Sequence, residues 1–239
     1  MKKYRIADII VEMESFGQTE ARAEPYRIED EKKAEFIVCS NWNKIKKDYP
    51  TISDEMGEYL STGKSFYQQL IKYDGLMLHA SAVVVNEKAY LFSAKSGVGK
   101  STHTALWMKL FENEAYILND DKPALRFVEG EWYAYGTPWS GKNDLSVNVG
   151  VPIAGIAFLK RSLHNKIKPF AGREMIVDLF GQINRKTTTK EFRIKMLELL
   201  DLLVAKIPIW KLECNTDIEA AIMAYEAMSA EPWRNEYGE

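Results

Sequence analysis

The residues with the clearest chemistry form one run, Ala94-Lys95-Ser96-Gly97-Val98-Gly99-Lys100-Ser101. Its spacing is that of a P-loop (Walker A), with Ala94 where a first glycine is usual. Polyphosphate requires a loop whose backbone N–H groups converge, and glycine permits that turn without a Cβ clash. On this reading Ser96, Gly97, Val98 and Gly99 cradle the phosphates and Lys100 reaches their β and γ groups. The Ser101 hydroxyl ligates Mg²⁺. A helix opening near Lys100 and running through Thr102 adds its N-terminal dipole and free N–H groups. The bland alternative is a flexible turn that happens to hold a lysine. The apolar run Ala89–Ser93 before the loop and the helical pattern after it favour the cradle.

Binding phosphate is not yet chemistry, which needs a carboxylate near the metal and a group to receive a proton. Asp120 and Asp121 follow the apolar run Tyr116-Ile117-Leu118, about twenty residues beyond Lys100. If that run is a strand beside the P-loop strand, its carboxyl end lies next to the bound phosphates. One aspartate then supports Mg²⁺ and the other accepts the proton of an attacking hydroxyl. The alternative is an exposed acidic turn before Pro123.

His79 precedes the strands that lead into the loop, where a histidine is more often a satisfied core or turn residue than a catalyst. His103 and His164 receive no role, and Cys39 and Cys214 lack metal-ligand spacing. Two weaker matches stand beside the loop. Ser61-Thr62-Gly63-Lys64-Ser65 reads as a turn before a helix, because Glu58 occupies the small-residue position and no strand precedes it. Gly136-Thr137-Pro138-Trp139-Ser140-Gly141-Lys142-Asn143 reads as a surface loop or as a mobile loop presenting Trp139, Ser140 and Lys142 to a substrate. Pro138 removes an N–H that a second cradle would use.

The elements that must position these residues can be read along the chain. Tyr4–Glu14 has the partial alternation of a strand, residues 20–35 read as loop and edge, and Ala34–Cys39 as a further strand. Ser65–Lys72 is helical. Ala82–Val85 and Ala89–Phe92, split by Asn86-Glu87-Lys88, predict a hairpin. Strands follow at 116–118, 124–128, 131–135 and 153–159. Phe192, Met196, Leu199, Leu200 and Leu203 have amphipathic helical spacing, and Ile207–Leu212 is a strand. Thr216-Asp217-Ile218-Glu219 reads as a capping box before a last helix. The class is α/β, with a small N-terminal α+β subdomain over 1–75 and a nucleotide-binding catalytic domain over 76–239.

Composition sets the outer limits. Lys and Arg number 32 against 34 Asp and Glu, a net charge of −2 over 239 residues, which argues against a nucleic-acid-gripping surface. Hydrophobic residues make up 46%, enough for a globular core. Two cysteines make no disulfide framework, and neither a secretory signal nor an apolar run of membrane-spanning length is present. The expected setting is cytoplasmic, away from membranes.

Leu78-His79-Ala80, the loop Ser93–Thr102 and Leu118-Asn119-Asp120-Asp121 together resemble the catalytic core of HPr kinase/phosphorylase. The resemblance is clear over about residues 75–160. Ala94 departs from a family glycine and Asn119 from a family alanine. It implies a core like that of phosphoenolpyruvate carboxykinase, with ATP (GTP left open) and Mg²⁺ held by Lys100, Ser101 and Asp120. Asp121 would be the general base toward a serine hydroxyl, and Asp120 would stand near the metal and His79. Arg126, Lys142, Arg161 and Arg185 are unmatched candidates for the family's catalytic arginine. The chain looks most like the short members that phosphorylate serine on a peptide, and by analogy a homo-oligomer is expected.

The resulting expectation is an ATP- and Mg²⁺-dependent kinase acting on a hydroxyl, on serine of a peptide or small protein. Two alternatives stay open: a nucleotide-binding sensor or assembly module without transfer, and a kinase of a small hydroxyl metabolite.

Overall fold

The computed structural model describes residues 1–183 and 189–231. Ala7 and Asp8 both take positive φ, 52° and 57°. This two-residue turn splits the apolar N-terminal segment into β1 (Lys2–Ile6) and β2 (Ile9–Met13), paired antiparallel, where alternation alone suggests one strand. A short strand, β3 (Phe36–Val38), pairs parallel with β2. Helices α1 (Gly17–Ala23), α2 (Trp42–Asp48) and α3 (Asp54–Leu70) accompany this small sheet.

Helix α3 begins well before the predicted Ser65, with the Ser53 hydroxyl accepting the Met56 amide at 3.2 Å as its N-cap. The Ser61–Ser65 match therefore lies inside a helix rather than in a turn. Gly63 stands there for a packing reason: a Cβ would come within 2.8 Å of the Trp139 indole. Trp139 joins Tyr4, Ile6, Val11, Phe66 and Tyr67 in one buried cluster. That cluster also takes in Ala124 and Tyr135, so the N-terminal elements pack directly on the larger sheet.

The larger sheet is mixed. It contains β4 (Gly75–Met77), β5 (Ala80–Val85), β6 (Lys88–Ser93), β7 (Ala115–Asn119), β8 (Ala124–Val128), β9 (Glu131–Tyr135), β10 (Gly150–Arg161), β11 (Lys166–Pro169) and β12 (Ile209–Cys214). The main path runs β4-β8-β9-β10-β6-β5-β7, and β12 joins β10 to β11. Strand β10 runs parallel to β6 and β12, and β5 is antiparallel to both β6 and β7. The hairpin between β5 and β6 turns on Asn86 and Glu87, both at positive φ.

Alternation sends the β5 and β6 side chains to two cores. Ala82, Val84, Ala89 and Leu91 face Leu179 of α5 (Gly172–Gln182) and Leu199 and Leu203 of α6 (Lys190–Lys206). Val83, Val85, Tyr90 and Phe92 face Trp107 of α4 (Lys100–Phe111) and Tyr225 of α7 (Ile218–Ser229). Burial on both sides explains why these strands read as unbroken apolar runs. Each large side chain placed here contributes about 1.5–3 kcal/mol. The α7 N-cap is Asp217, without a side-chain cap, so the predicted capping box does not form. No helix among the described residues is long and apolar enough to cross a membrane.

Candidate functional site

The loop between β6 and α4 has the strand–turn–helix setting its sequence requires. Gly97 and Gly99 hold φ of 79° and 124°, a region that side chains with a Cβ rarely adopt. No heavy atom lies within 4 Å of the place a Gly97 Cβ would take, so the glycine serves conformation rather than packing. Ala94 is not among the positive-φ residues, and its methyl packs in the α4 core. This is why the missing first glycine is tolerated.

Lys100 is buried and donates to the Ala94 carbonyl at 3.2 Å, folding back over the loop. Burial lowers its pKa, and the charges of Asp121 and Asp120 oppose that. Ser96, Ser101 and Thr102 are exposed on the loop and the first turn of α4. Arg161, at the end of β10, donates from Nε to the Val98 carbonyl (3.0 Å) and from Nη2 to the Gly97 carbonyl (2.5 Å). It braces the loop from its carbonyl side. Of the other arginine candidates, Arg126 donates to the carbonyls of Ala7 and Tyr73, and Arg185 lies outside the described residues.

The paired aspartates reach the loop by a route different from the one expected. Strand β7 is not the neighbour of β6, since β5 lies between them. Because β5 is antiparallel to both, β6 and β7 point the same way and end at one edge. Ser81 on β5 bridges the gap, donating to Asp120 Oδ1 at 2.6 Å. Asp120 Oδ2 accepts from Ser101 Oγ at 3.1 Å and from Asn143 Nδ2 at 2.6 Å.

His79 faces Asp121, not Asp120: its Nε2 lies 3.1 Å from Asp121 Oδ1, and its Nδ1 meets Gln182 Oε1 at 3.0 Å. The Lys122 ammonium pairs with Asp121 Oδ2. Burial pushes the Asp121 carboxyl up, but the His79 hydrogen bond and the Lys122 charge outweigh it and hold the pKa at about 2. Asn119 orders the turn, its Oδ1 accepting the amides of Asp121 and Lys122 at 3.0 and 2.7 Å. The Asn in place of alanine is thus a turn-forming residue.

The Gly136–Asn143 segment is neither of the loops anticipated. Trp139 and Ser140 are each 1% exposed, and the indole N–H donates to Thr62 Oγ1 at 3.2 Å. Neither is presented to solvent, and Lys142 is exposed. The segment serves the site through Asn143 and through Gly141, whose missing Cβ would meet that of Asp121 at 2.7 Å. Ser81, Asn143 and the loop contact of Arg161 had no motif to mark them, because their partners lie far away in sequence.

Beside Val98, Gly99 and Thr102 a cleft of about 310 Å³ opens between α4 and the ends of β10 and β12, with Arg161, Asn215 and Thr216 on its rim. His103 also lines it, with Nε2 accepting the Trp107 indole N–H at 3.2 Å. Burial drives the His103 pKa down to about 4 and keeps the ring neutral. Its Nδ1 is buried without a hydrogen-bond partner among the described residues.

No curated protein matches the chain. Among solved structures, the Hpr(Ser) kinase/phosphatase from Coxiella burnetii aligns with a TM-score of 0.36 and 12% identity, over 64% of this chain and 95% of that one. Residues 38–219, more than half of the chain, match the family described as SynChlorMet cassette protein ScmC; they include the loop, the paired aspartates, His79 and Arg161, and the chain belongs to that family.

Proposed function

We propose that the protein is a phosphotransferase that moves the γ-phosphoryl group of ATP to a hydroxyl, on serine of a peptide or small protein. The core would be of the carboxykinase-like type that the sequence resemblance implies. The observation that carries this reading is the junction of Ser101, at the first turn of α4, with Asp120, beside an Asp121 that faces His79. The left-handed turns at Gly97 and Gly99, the buried Lys100 and the helix N-terminus fit a polyphosphate, and the cleft next to them has room for a nucleoside.

Ser101 and Asp120 are the residues that would hold Mg²⁺, an oxygen pair of the kind this hard cation prefers. Bound there, the ion supplies positive charge against the transferring phosphoryl group. Lys100 and the loop amides add to the same stabilisation, while Arg161 keeps the loop carbonyls turned aside. Asp121 receives the hydroxyl proton. As a weak base it accepts that proton late, when the new bond to phosphorus has largely formed.

The occupation of both Asp121 oxygens, by His79 and by the Lys122 ammonium, also favours a second reading, a module that holds ATP without transferring phosphate. ³¹P NMR of the protein with Mg²⁺-ATP and host-cell extract separates the two. A new phosphomonoester signal, absent in Lys100→Ala and Asp121→Asn, is the result expected of a kinase. ATP binding lost in Lys100→Ala, with no turnover in any extract, would establish the module.

A further inference from the structure

Lys122 does more than neutralise Asp121. Its side chain also lines a second cleft, of about 530 Å³, between α2, α3 and the segment carrying Trp139. That volume suits a small ligand or a few side chains. Tyr59 and Trp139 supply aromatic wall and Ile52 and Leu60 aliphatic wall. The rim is unusually apolar for an open surface, with Tyr49 58% and Leu60 39% exposed.

The charge on this cleft has one sign. Lys64 and Lys122 line it and no lining residue bears a carboxylate. Lys64 makes no ion pair among the described residues, whereas the Lys122 ammonium sits 5.8 Å from the centre of the Tyr59 ring and pairs with Asp121. Apolar walls with a positive rim call for an occupant that has an apolar body and an anionic group. Lys122 is shared by the two places: it lines the cleft, and its ammonium pairs with Asp121, the carboxylate that would take the acceptor proton.

We propose that this cleft seats the phosphoryl acceptor. The acceptor is a hydroxyl compound about the size of a seryl dipeptide, with a bulky apolar side group and a carboxylate. This rests on the kinase reading given above. The apolar group lies between Tyr59 and Leu60, the carboxylate faces Lys64, and the hydroxyl points to the Lys122–Asp121 end. There the hydroxyl oxygen bonds to the γ-phosphorus as the bond from that phosphorus to the β–γ bridging oxygen breaks. ADP leaves and the proton passes to Asp121.

The test uses N-acetyl-seryl-phenylalanine as probe, titrated calorimetrically into the full chain saturated with a non-hydrolysable ATP analogue. The expected result is one-to-one binding, weakened at least tenfold in Leu60→Glu and in Lys64→Glu. The same loss is expected when the probe is replaced by its amide or by N-acetyl-seryl-glycine. Both substitutions fall on exposed helix positions, and circular dichroism checks that the fold is kept. Absence of binding to the wild type, or binding indifferent to both substitutions, would overturn the proposal. Affinity for the ATP analogue, measured in the same variants and in Lys100→Ala, is a separate readout. Its failure would count against the kinase reading, not against the cleft.

Discussion

The Ser101 hydroxyl donates to Asp120 Oδ2 across 3.1 Å, although the strands that lead to these residues are separated by β5. The link closes only because Ser81 and Asn143 hold the same carboxylate from other sides. Asp120→Asn would remove the charge and turn a donor toward groups that already donate. Phosphoryl transfer should fall by roughly 10²–10³-fold, a loss typical of one removed electrostatic partner. Stability should fall by about 1–3 kcal/mol. Single-turnover rates and urea melts measure the two effects separately.

Asp121 offers a test by titration. Its folded pKa of about 2 lies below the ordinary 3.8, so its ionisation stabilises the fold above that ordinary value. The contribution is lost as pH falls through about 2. Lys122→Ala removes one of the charges responsible, and the Asp121 resonance in a ¹³C carboxylate titration should move up toward the ordinary range. An unmoved titration would assign the depression to His79 alone.

Arg161 reaches the loop from outside every motif. Arg161→Ala leaves the Gly97 and Val98 carbonyls without their shared donor and should weaken ATP affinity by about tenfold, the loss expected when charged hydrogen bonds are removed. Arg161→Lys should restore little of it, because an ammonium cannot reproduce the fork. Equilibrium binding of a fluorescent ATP analogue gives the comparison.

Glu58 of α3 is fully buried, and neither carboxylate oxygen has a partner at full hydrogen-bond geometry among the described residues, Thr19 being the neighbour that eases its charge in part. Burial pushes its pKa up to about 7. A raised folded pKa favours the fold below the unfolded value of 4.5 and is a growing loss as pH rises to 7. Glu58→Gln should therefore flatten the stability profile over that window, with a gain of roughly 2–3 kcal/mol at pH 8. Denaturant melts at pH 4.5, 6 and 8 would show it.

Two glycines of α3 should respond oppositely to alanine. At Gly57 the nearest atom to a new Cβ is 3.6 Å away, ordinary contact, so the better helix propensity should stabilise by up to about 1 kcal/mol. At Gly63 the new methyl meets the Trp139 ring at 2.8 Å and overpacks it. A loss of about 1–3 kcal/mol is expected there. Thermal melts of both variants test the packing directly.

Local pattern was enough for the strand–loop–helix unit around Gly97 and Gly99, the β5–β6 hairpin, the helix carrying Met196 and Leu203, and strands β8 and β9. In each, a short repeat or turn signal acts within a few residues. The misreadings arose where distant packing decides. Gly63 looks like a turn residue until Trp139, far along the chain, is seen to need its missing side chain. Trp139 and Ser140 read as a surface loop because Pro and Gly surround them, yet both are buried, Trp139 within the N-terminal cluster. Asn143 and Ser81 reach Asp120 from remote segments, so no spacing could announce them. Ala7 and Asp8 form a turn without glycine, which alternation cannot see.

The tie between residues 22–26 and the segment 141–146 has a practical consequence. Arg22 donates to the Gly141 carbonyl at 2.8 Å and pairs with Asp144 at 3.1 Å, and Tyr26 shares a 2.7 Å hydrogen bond with Ser146. Both residues precede position 38, where the family match begins. A fragment trimmed to that boundary would keep every motif residue and lose the splint that sets Gly141 and Asn143 against the aspartates. Such a truncation would loosen Gly141 and Asn143 from the aspartates even if it remained folded, and swapping the first 37 residues between relatives would retune the site from behind.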